Sequence, residues 1–307
     1  MSFIRGYSVL YFMKYFNKSE LKKLYKPAKD SYGEQNGQAT IIGGSSLFHG
    51  APVLTLKVAS RIVDMVFFAT PESSVGEVAE KIKSHLMSFV WVPWEDSEEY
   101  IKKSDAILIG PGFMRYGSEK TPEDQKGYEN HLEGKVTREI TQSLLRKFPD
   151  KKWVIDAGSL QTMDAEWIPE DAVLTPNKKE FELLFKIKYQ ISNIKNTNQK
   201  LKIVSQKAKE YNCVIVLKGP ETIVASPADV VLVKGGNPGM TKGGTGDVLA
   251  GLTVALLAKN DPFLAAASAS YIAKAAADEL YVKVGTTYNA DDLAGQIPET
   301  FRRLTAK

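Results

Sequence analysis

From residue 38 onward, short apolar runs alternate with longer stretches in which apolar residues recur every three or four positions. The runs fall at 38–42, 65–69, 88–92, 106–110, 153–157, 172–176 and 214–219, each bounded by Gly, Pro, Asp or Ser. Their length and β-branched content read as strands. Three- and four-residue spacing predicts helices over 51–63, 74–86, 135–148 and 199–211. Because the strands are apolar at consecutive positions, both of their faces need cover, which implies a mostly parallel sheet with helices on each side. Past Lys218 the pattern becomes 221–226, a Pro-Ala-Asp turn and 229–236, an antiparallel hairpin at one edge. Two apolar helices rich in small residues follow, over 246–258 and 262–283. Polar stretches at 115–134 and 186–200 read as solvated loops able to act as lids. Residues 1–36, aromatic first and then polar and turn-rich, read as an N-terminal extension ahead of one α/β domain over 37–307.

Composition narrows the class without naming it. Of 307 residues, 43% are hydrophobic and 25% charged, as in ordinary globular proteins. Forty basic against 36 acidic residues leave a net charge of +4, spread rather than clustered, which suits anionic small molecules and does not predict nucleic-acid binding. One cysteine, Cys213, allows no disulfide within the chain and reads as a buried thiol in a reducing compartment. The apolar N-terminus is broken by Arg5, Gly6 and Lys14, so neither a signal peptide nor a membrane anchor is expected, and a cytoplasmic enzyme is.

The strongest chemical signal is "GNPGMTKGGTGDVLAGL", 236–252. Gly243, Gly244, Thr245 and Gly246 run straight into a helix, so unpaired backbone N–H groups and the positive end of the helix dipole meet at one point. That point should hold an anion, and a nucleotide phosphate fits best. A carboxylate beside a phosphate repels it, so Asp247 in the first turn is expected to handle a proton, taking it from a hydroxyl that attacks a phosphoryl group. The plainer alternative, an acid stabilising a helix start, does not account for the four small residues before it. No Walker A string occurs, and "GPGFMR" at 110–115 puts Arg115 where a dinucleotide fingerprint needs a small residue.

Other signals are weaker. Gly43, Gly44 and Ser45, and again Gly110 and Gly112, close strands where ligands bind in open α/β sheets. Lys218 and Gly219 end a strand, and Lys218 fits a phosphate contact or a solvated turn residue alike. Asn177, with Glu180 three positions on, has the spacing of a helix cap, although a Glu near phosphates could organise Mg²⁺ through water. His49, His85 and His131 show no metal-ligand spacing.

The string "NPGMTKGGTGDVLAGL", with "IIGGSSLFHGAP", "ILIGPGF", "VIDAGSL", "VLTPNKKEF" and "VIVLKGPETIVAS" in that order, resembles the NAD(P)H-hydrate dehydratases of the ribokinase-like superfamily. The likeness spans about 38–300. It implies a ribokinase-like fold and ADP- or ATP-dependent dehydration of hydrated NAD(P)H, with Mg²⁺, through phosphorylation of the hydroxyl and loss of phosphate, Asp247 being the base. Lys218, Gly219, Pro220, Glu221, Thr222 and Gly246 would then contact the nucleotide, and Ala51, Gly112, Asn177 and Asp247 the hydrate. The resemblance also implies a separate epimerase in the same pathway; a homo-oligomer stays open. Two positions depart from the pattern: the family usually has His where Asn177 stands and Asp where Gly158 stands. "NKKE" also matches the Asn-x-x-Glu of ribokinase-type kinases, so a kinase acting on a sugar or vitamin alcohol is the alternative, and a nucleotide sensor without turnover the third reading.

Overall fold

The computed structural model describes residues 14–83, 85–116, 129–187 and 191–306. Nine strands among these residues form one sheet: β1 (Gln38–Ile42), β2 (Met65–Ala69), β3 (Val90–Val92), β4 (Ala106–Ile109), β5 (Lys152–Ile155), β6 (Val173–Leu174), β7 (Val214–Leu217), β8 (Thr222–Ala225) and β9 (Val230–Val233). Their order is β3-β2-β1-β4-β5-β6-β7-β8-β9. The first seven pair in parallel, and β8 and β9 close the edge antiparallel.

Among the described residues ten helices cover the sheet: α1 (Gly50–Ala59), α2 (Ser73–Ile82), α3 (Ser97–Lys103), α4 (Glu129–Lys147), α5 (Ala157–Thr162), α6 (Lys178–Leu184), α7 (Thr197–Glu210), α8 (Thr245–Leu257), α9 (Pro262–Val284) and α10 (Ala290–Thr305). Neighbouring strand residues point to opposite faces, and both faces are apolar. Ile41, Leu108 and Val154 pack with α1, α8, α9 and α10, while Ile42, Ile107, Ile109 and Ile155 pack with α3 to α7. Consecutive apolar residues in a strand thus feed two separate cores.

Several expectations need correction. The polar stretch 115–134 is not all loop: 117–128 lie outside the described residues, but 129–134 form the first turns of α4. The stretch 186–200 holds a short 3-10 turn, Ile191–Asn193, whose fully buried Ile191 joins the second core, and α7 begins at Thr197; residues 188–190 lie outside the described set. His131 falls in α4, its side chain outside the described residues; His85 is exposed, and His49 Nε2 lies 3.3 Å from Ser74 Oγ. Sequence periodicity did not predict α10, which carries Pro298 in its interior yet opens on a reciprocal cap between Asn289 and Asp292. Cys213 is buried, which pushes its thiol up to about 12 and makes it inert.

Residues 14–24 are built into the body of the protein. Phe16 N–H donates to Leu232 O, and Leu232 N–H to Lys14 O, both at 2.9 Å, which adds a short rung to the free edge of β9. Leu21 and Leu24, in and after a 3-10 turn (Lys18–Lys23), are buried in the first core.

Candidate active site

All six strand ends β1, β2, β4, β5, β6 and β7 open on the same edge of the sheet, and α8 starts there. Gly244 caps α8 with φ +89°, and a Cβ at that position would lie 2.6 Å from Leu54 Cδ1 and 2.7 Å from Ala290 Cβ, so only glycine fits this turn. A Cβ at exposed Gly243 would meet nothing within 4 Å, leaving the helix mouth open to a ligand. The first rung of the α8 ladder is Val248 N–H donating to Gly244 O, so the N–H groups of Gly246 and Asp247 lie ahead of it at that opening.

Three carboxylates and one ammonium gather at this mouth. Lys218, at the end of β7, donates to Asp156 Oδ1 at 2.9 Å and lies 3.7 Å from Glu180 Oε2. Thr175 Oγ1 donates to the same Asp156 oxygen at 2.8 Å. Burial drives the half-buried Asp247 carboxyl up to about 7, with Asp156 and Glu180 adding to the rise and Lys218 opposing it. Burial likewise raises Glu180. Burial pulls the Lys218 ammonium down, but Asp156, Glu180 and Asp247 together outweigh it and hold it above its ordinary value. Arg115, which donates to Gln161 Oε1 at 3.3 Å, lowers Glu180 from beyond, yet three carboxylates still outnumber the two cations, an imbalance that a phosphate group alone would worsen and a cation arriving with it would relieve.

From Lys218 and Gly246 a cavity of about 450 Å³ runs under the β7–β8 turn to α9. Lys218, Gly219, Pro220, Thr222, Thr245 and Gly246 line it, as do Asn237, Ser270 and Lys274; Glu221, Gly243 and Gly244 are not among its lining residues. Lys274 is almost fully buried, its Nζ donating to the carbonyls of Pro220, Gly235 and Gly219 at 2.6, 2.8 and 3.2 Å. Burial lowers it to about 8.

On the other side of α8, Ala51 sits in the first turn of α1, and Gly112 is buried in the turn after β4, where a Cβ would lie 2.6 Å from Phe48 O. Asn177 and Glu180 form a reciprocal cap on α6: Glu180 N–H donates to Asn177 Oδ1 at 3.0 Å, and Asn177 N–H to Glu180 Oε2 at 2.7 Å. The other Glu180 oxygen accepts from Gln161 Nε2 at 3.3 Å. A Cβ at Gly158 would lie 2.2 Å from Phe113 O, so the backbone after β4 leaves no room there for the acid that the resemblance expects. Among the described residues no three His, Cys, Asp or Glu stand together as metal ligands. The carboxylates fit a Mg²⁺ that keeps its waters and rides on phosphates, not one caged by protein. Asp156, Asn237 and Lys274 escaped the sequence reading.

The family model described as NAD(P)H-hydrate dehydratase matches residues 39–299. A bifunctional NAD(P)H-hydrate repair enzyme of Methanocaldococcus jannaschii is 34% identical over 293 residues, covering 92% of this chain and 52% of its own. An ADP-dependent (S)-NAD(P)H-hydrate dehydratase of Nitrosopumilus maritimus is 30% identical over 301 residues, covering 90% of this chain and 93% of its own. The chain thus spans about half the length of its bifunctional relatives and nearly all of the second protein. Among solved structures, a ribokinase-like protein of Enterococcus faecalis superposes with TM-score 0.77 at 21% identity, covering 97% of this chain and 99% of its own. The ADP/ATP-dependent NAD(P)H-hydrate dehydratase of Bacillus subtilis, co-crystallized with ATP/Mg²⁺, does so with 0.72 at 22%, covering 95% and 99%. No helix among the described residues is long and apolar enough to cross a membrane. By the extent of that family match, the chain belongs to the NAD(P)H-hydrate dehydratases, on a ribokinase-like fold.

Proposed function

We propose that this protein restores hydrated NAD(P)H to NAD(P)H at the expense of ADP or ATP. The observation that carries this reading is the place of Asp247, half-buried in the first turn of α8 next to Lys218 and behind a glycine turn that leaves the helix start open, where burial pushes its carboxyl up to about 7. A base works best when its pKa lies near the working pH, and burial among acids gives Asp247 that value.

The terminal phosphoryl group of the nucleotide rests on the N–H groups of Gly246 and Asp247, with Lys218 drawing off charge that builds on its oxygens. Ala51, Gly112 and Asn177 face the hydrate, whose ring hydroxyl is presented to Asp247. Asp247 takes the hydroxyl proton as that oxygen attacks phosphorus and the shortened nucleotide leaves. The ring nitrogen then pushes its electron pair in, phosphate departs from carbon, and loss of the neighbouring carbon's proton restores the double bond. A Mg²⁺ held through water by Glu180 would supply charge neutralisation of the phosphates. The remaining nucleotide occupies the 450 Å³ cavity, lined by Lys218, Gly219, Pro220 and Thr222. An epimerase interconverting the two hydrate forms, and a cytoplasmic setting, belong to the same proposal.

The names of the relatives support dehydration over simple phosphorylation. Purified protein with hydrated NADH or NADPH and either nucleotide should regenerate the absorbance of the reduced coenzyme. A phosphorylated alcohol that accumulates, with hydrates untouched, would overturn the reading in favour of a kinase.

A further inference from the structure

The far half of the nucleotide cavity is polar in composition but not in what it offers. Thr222 Oγ1 donates to Gly219 O at 3.3 Å, Thr241 Oγ1 to Pro238 O at 2.8 Å, and Ser270 Oγ to Ala266 O at 2.9 Å. Asn237 Nδ2 donates to Ala277 O at 2.9 Å, while its Oδ1 accepts from Gly239 N–H and Tyr288 OH at 3.0 and 2.8 Å. The carbonyls of Gly219, Pro220 and Gly235, which would otherwise be the natural acceptors for an exocyclic amine, all carry the Lys274 ammonium. Most of the remaining surface toward the cavity is apolar, from Pro220, Pro238, Met240, Leu249 and Ala273. Phosphates placed at Lys218 and Gly246 send the base into this half.

We propose that the base is held by shape and apolar packing and not read along its hydrogen-bonding edge, so that the protein accepts hypoxanthine as well as adenine nucleotides. The proposal rests on the nucleotide half of the reading above. Adenine and hypoxanthine have nearly the same outline but opposite donor and acceptor patterns at the six-membered ring. A pocket with buried groups aimed at that edge rejects the wrong pattern by about 10⁴-fold or more, because its own polar groups go unpaired, whereas an apolar pocket discriminates weakly between molecules of one shape. Lys274 adds to the indifference: its ammonium sits on three carbonyls at once and weakens them as acceptors for an amine.

Calorimetric titration of the wild-type protein with ADP, IDP and inorganic pyrophosphate, each with Mg²⁺, tests this. ADP and IDP should bind within about tenfold of one another, a difference of at most about 1.4 kcal/mol. Pyrophosphate should bind more than tenfold more weakly than ADP, since it leaves the cavity empty. A loss beyond tenfold for IDP overturns the proposal, as does pyrophosphate binding within tenfold of ADP. Failure of ADP itself to bind removes both this inference and the nucleotide half of the proposed function. ADP and IDP binding alike, with hydrates untouched, removes the dehydratase reading and leaves this inference standing.

Discussion

Lys218 and Lys274 both line the cavity beside α8, and their pKa values are shifted in opposite directions. Three carboxylates surround Lys218 and hold it above its ordinary value, while burial brings Lys274 to about 8 among backbone carbonyls. The first end of the cleft keeps an excess of charge where a proton must move; the second commits its polar groups internally where a ligand only needs to fit. Side-chain type therefore says little about role here, and the neighbours decide it.

The largest effect expected from breaking this contrast is at Asp247. Asp247→Asn keeps the shape and removes the base, so kcat should fall about 10²–10⁴-fold while ADP affinity stays within a fewfold, read by steady-state kinetics and calorimetry. The same change should stabilise the fold. A carboxyl whose folded value is about 7 against an unfolded 3.8 favours folding when protonated, and that advantage is lost as pH rises from about 4 through 7. Melting temperatures of the variant and the parent should coincide near pH 4 and separate at pH 8, the variant being higher.

Lys218→Met should be next, lowering kcat/KM about 10²–10³-fold by removing the charge that faces the phosphoryl oxygens. Because Lys218 holds Asp247 down, the acid limb of the pH–rate profile should move upward from about 7 in the residual activity. An unmoved limb would assign the titration to another group. Smallest is Lys274→Met, which strands three carbonyls but touches no reacting atom. The melting temperature should fall, since an unpaired buried polar group costs about 1–3 kcal/mol, with kcat within twofold. A larger fall in kcat would show that the two ends of the cleft are not separable.

Much of this was readable beforehand. Strands announced themselves because residues such as Ile41 and Ile42 serve two cores at once, and the α8 mouth because Gly243 to Gly246 leave little besides a turn and a ligand to explain them. Asp156 was not readable: it ends a strand 62 positions from Lys218, and only the parallel order of β5, β6 and β7 makes them partners. Nothing in the alanine-rich sequence of α9 marks Lys274, whose partners are the carbonyls of the β7–β8 turn and of Gly235, distant in sequence. The spacing of α10 was present at Leu293, Ala294, Ile297, Phe301 and Leu304, with the Asn289 cap ahead of it, but Pro298 argued against continuity. Asn177 and Glu180 were legible as a cap, and the cap is what the structure contains.

Residues 14–24 bear on how this molecule is made. Leu21 and Leu24 bury themselves against helices that begin at Pro262 and Ala290, and Phe16 pairs with Leu232, more than 200 positions later in synthesis. At about 5–20 residues per second, the emerging segment waits ten seconds or longer for its counterparts. During that interval Phe16, Leu21 and Leu24 lack the partners that cover them in the folded protein, and the β9 edge lacks its last rung until this segment returns to it. The β9 edge is thus completed across more than 200 positions of sequence, a long-range contact that costs loop-closure entropy before it is rewarded.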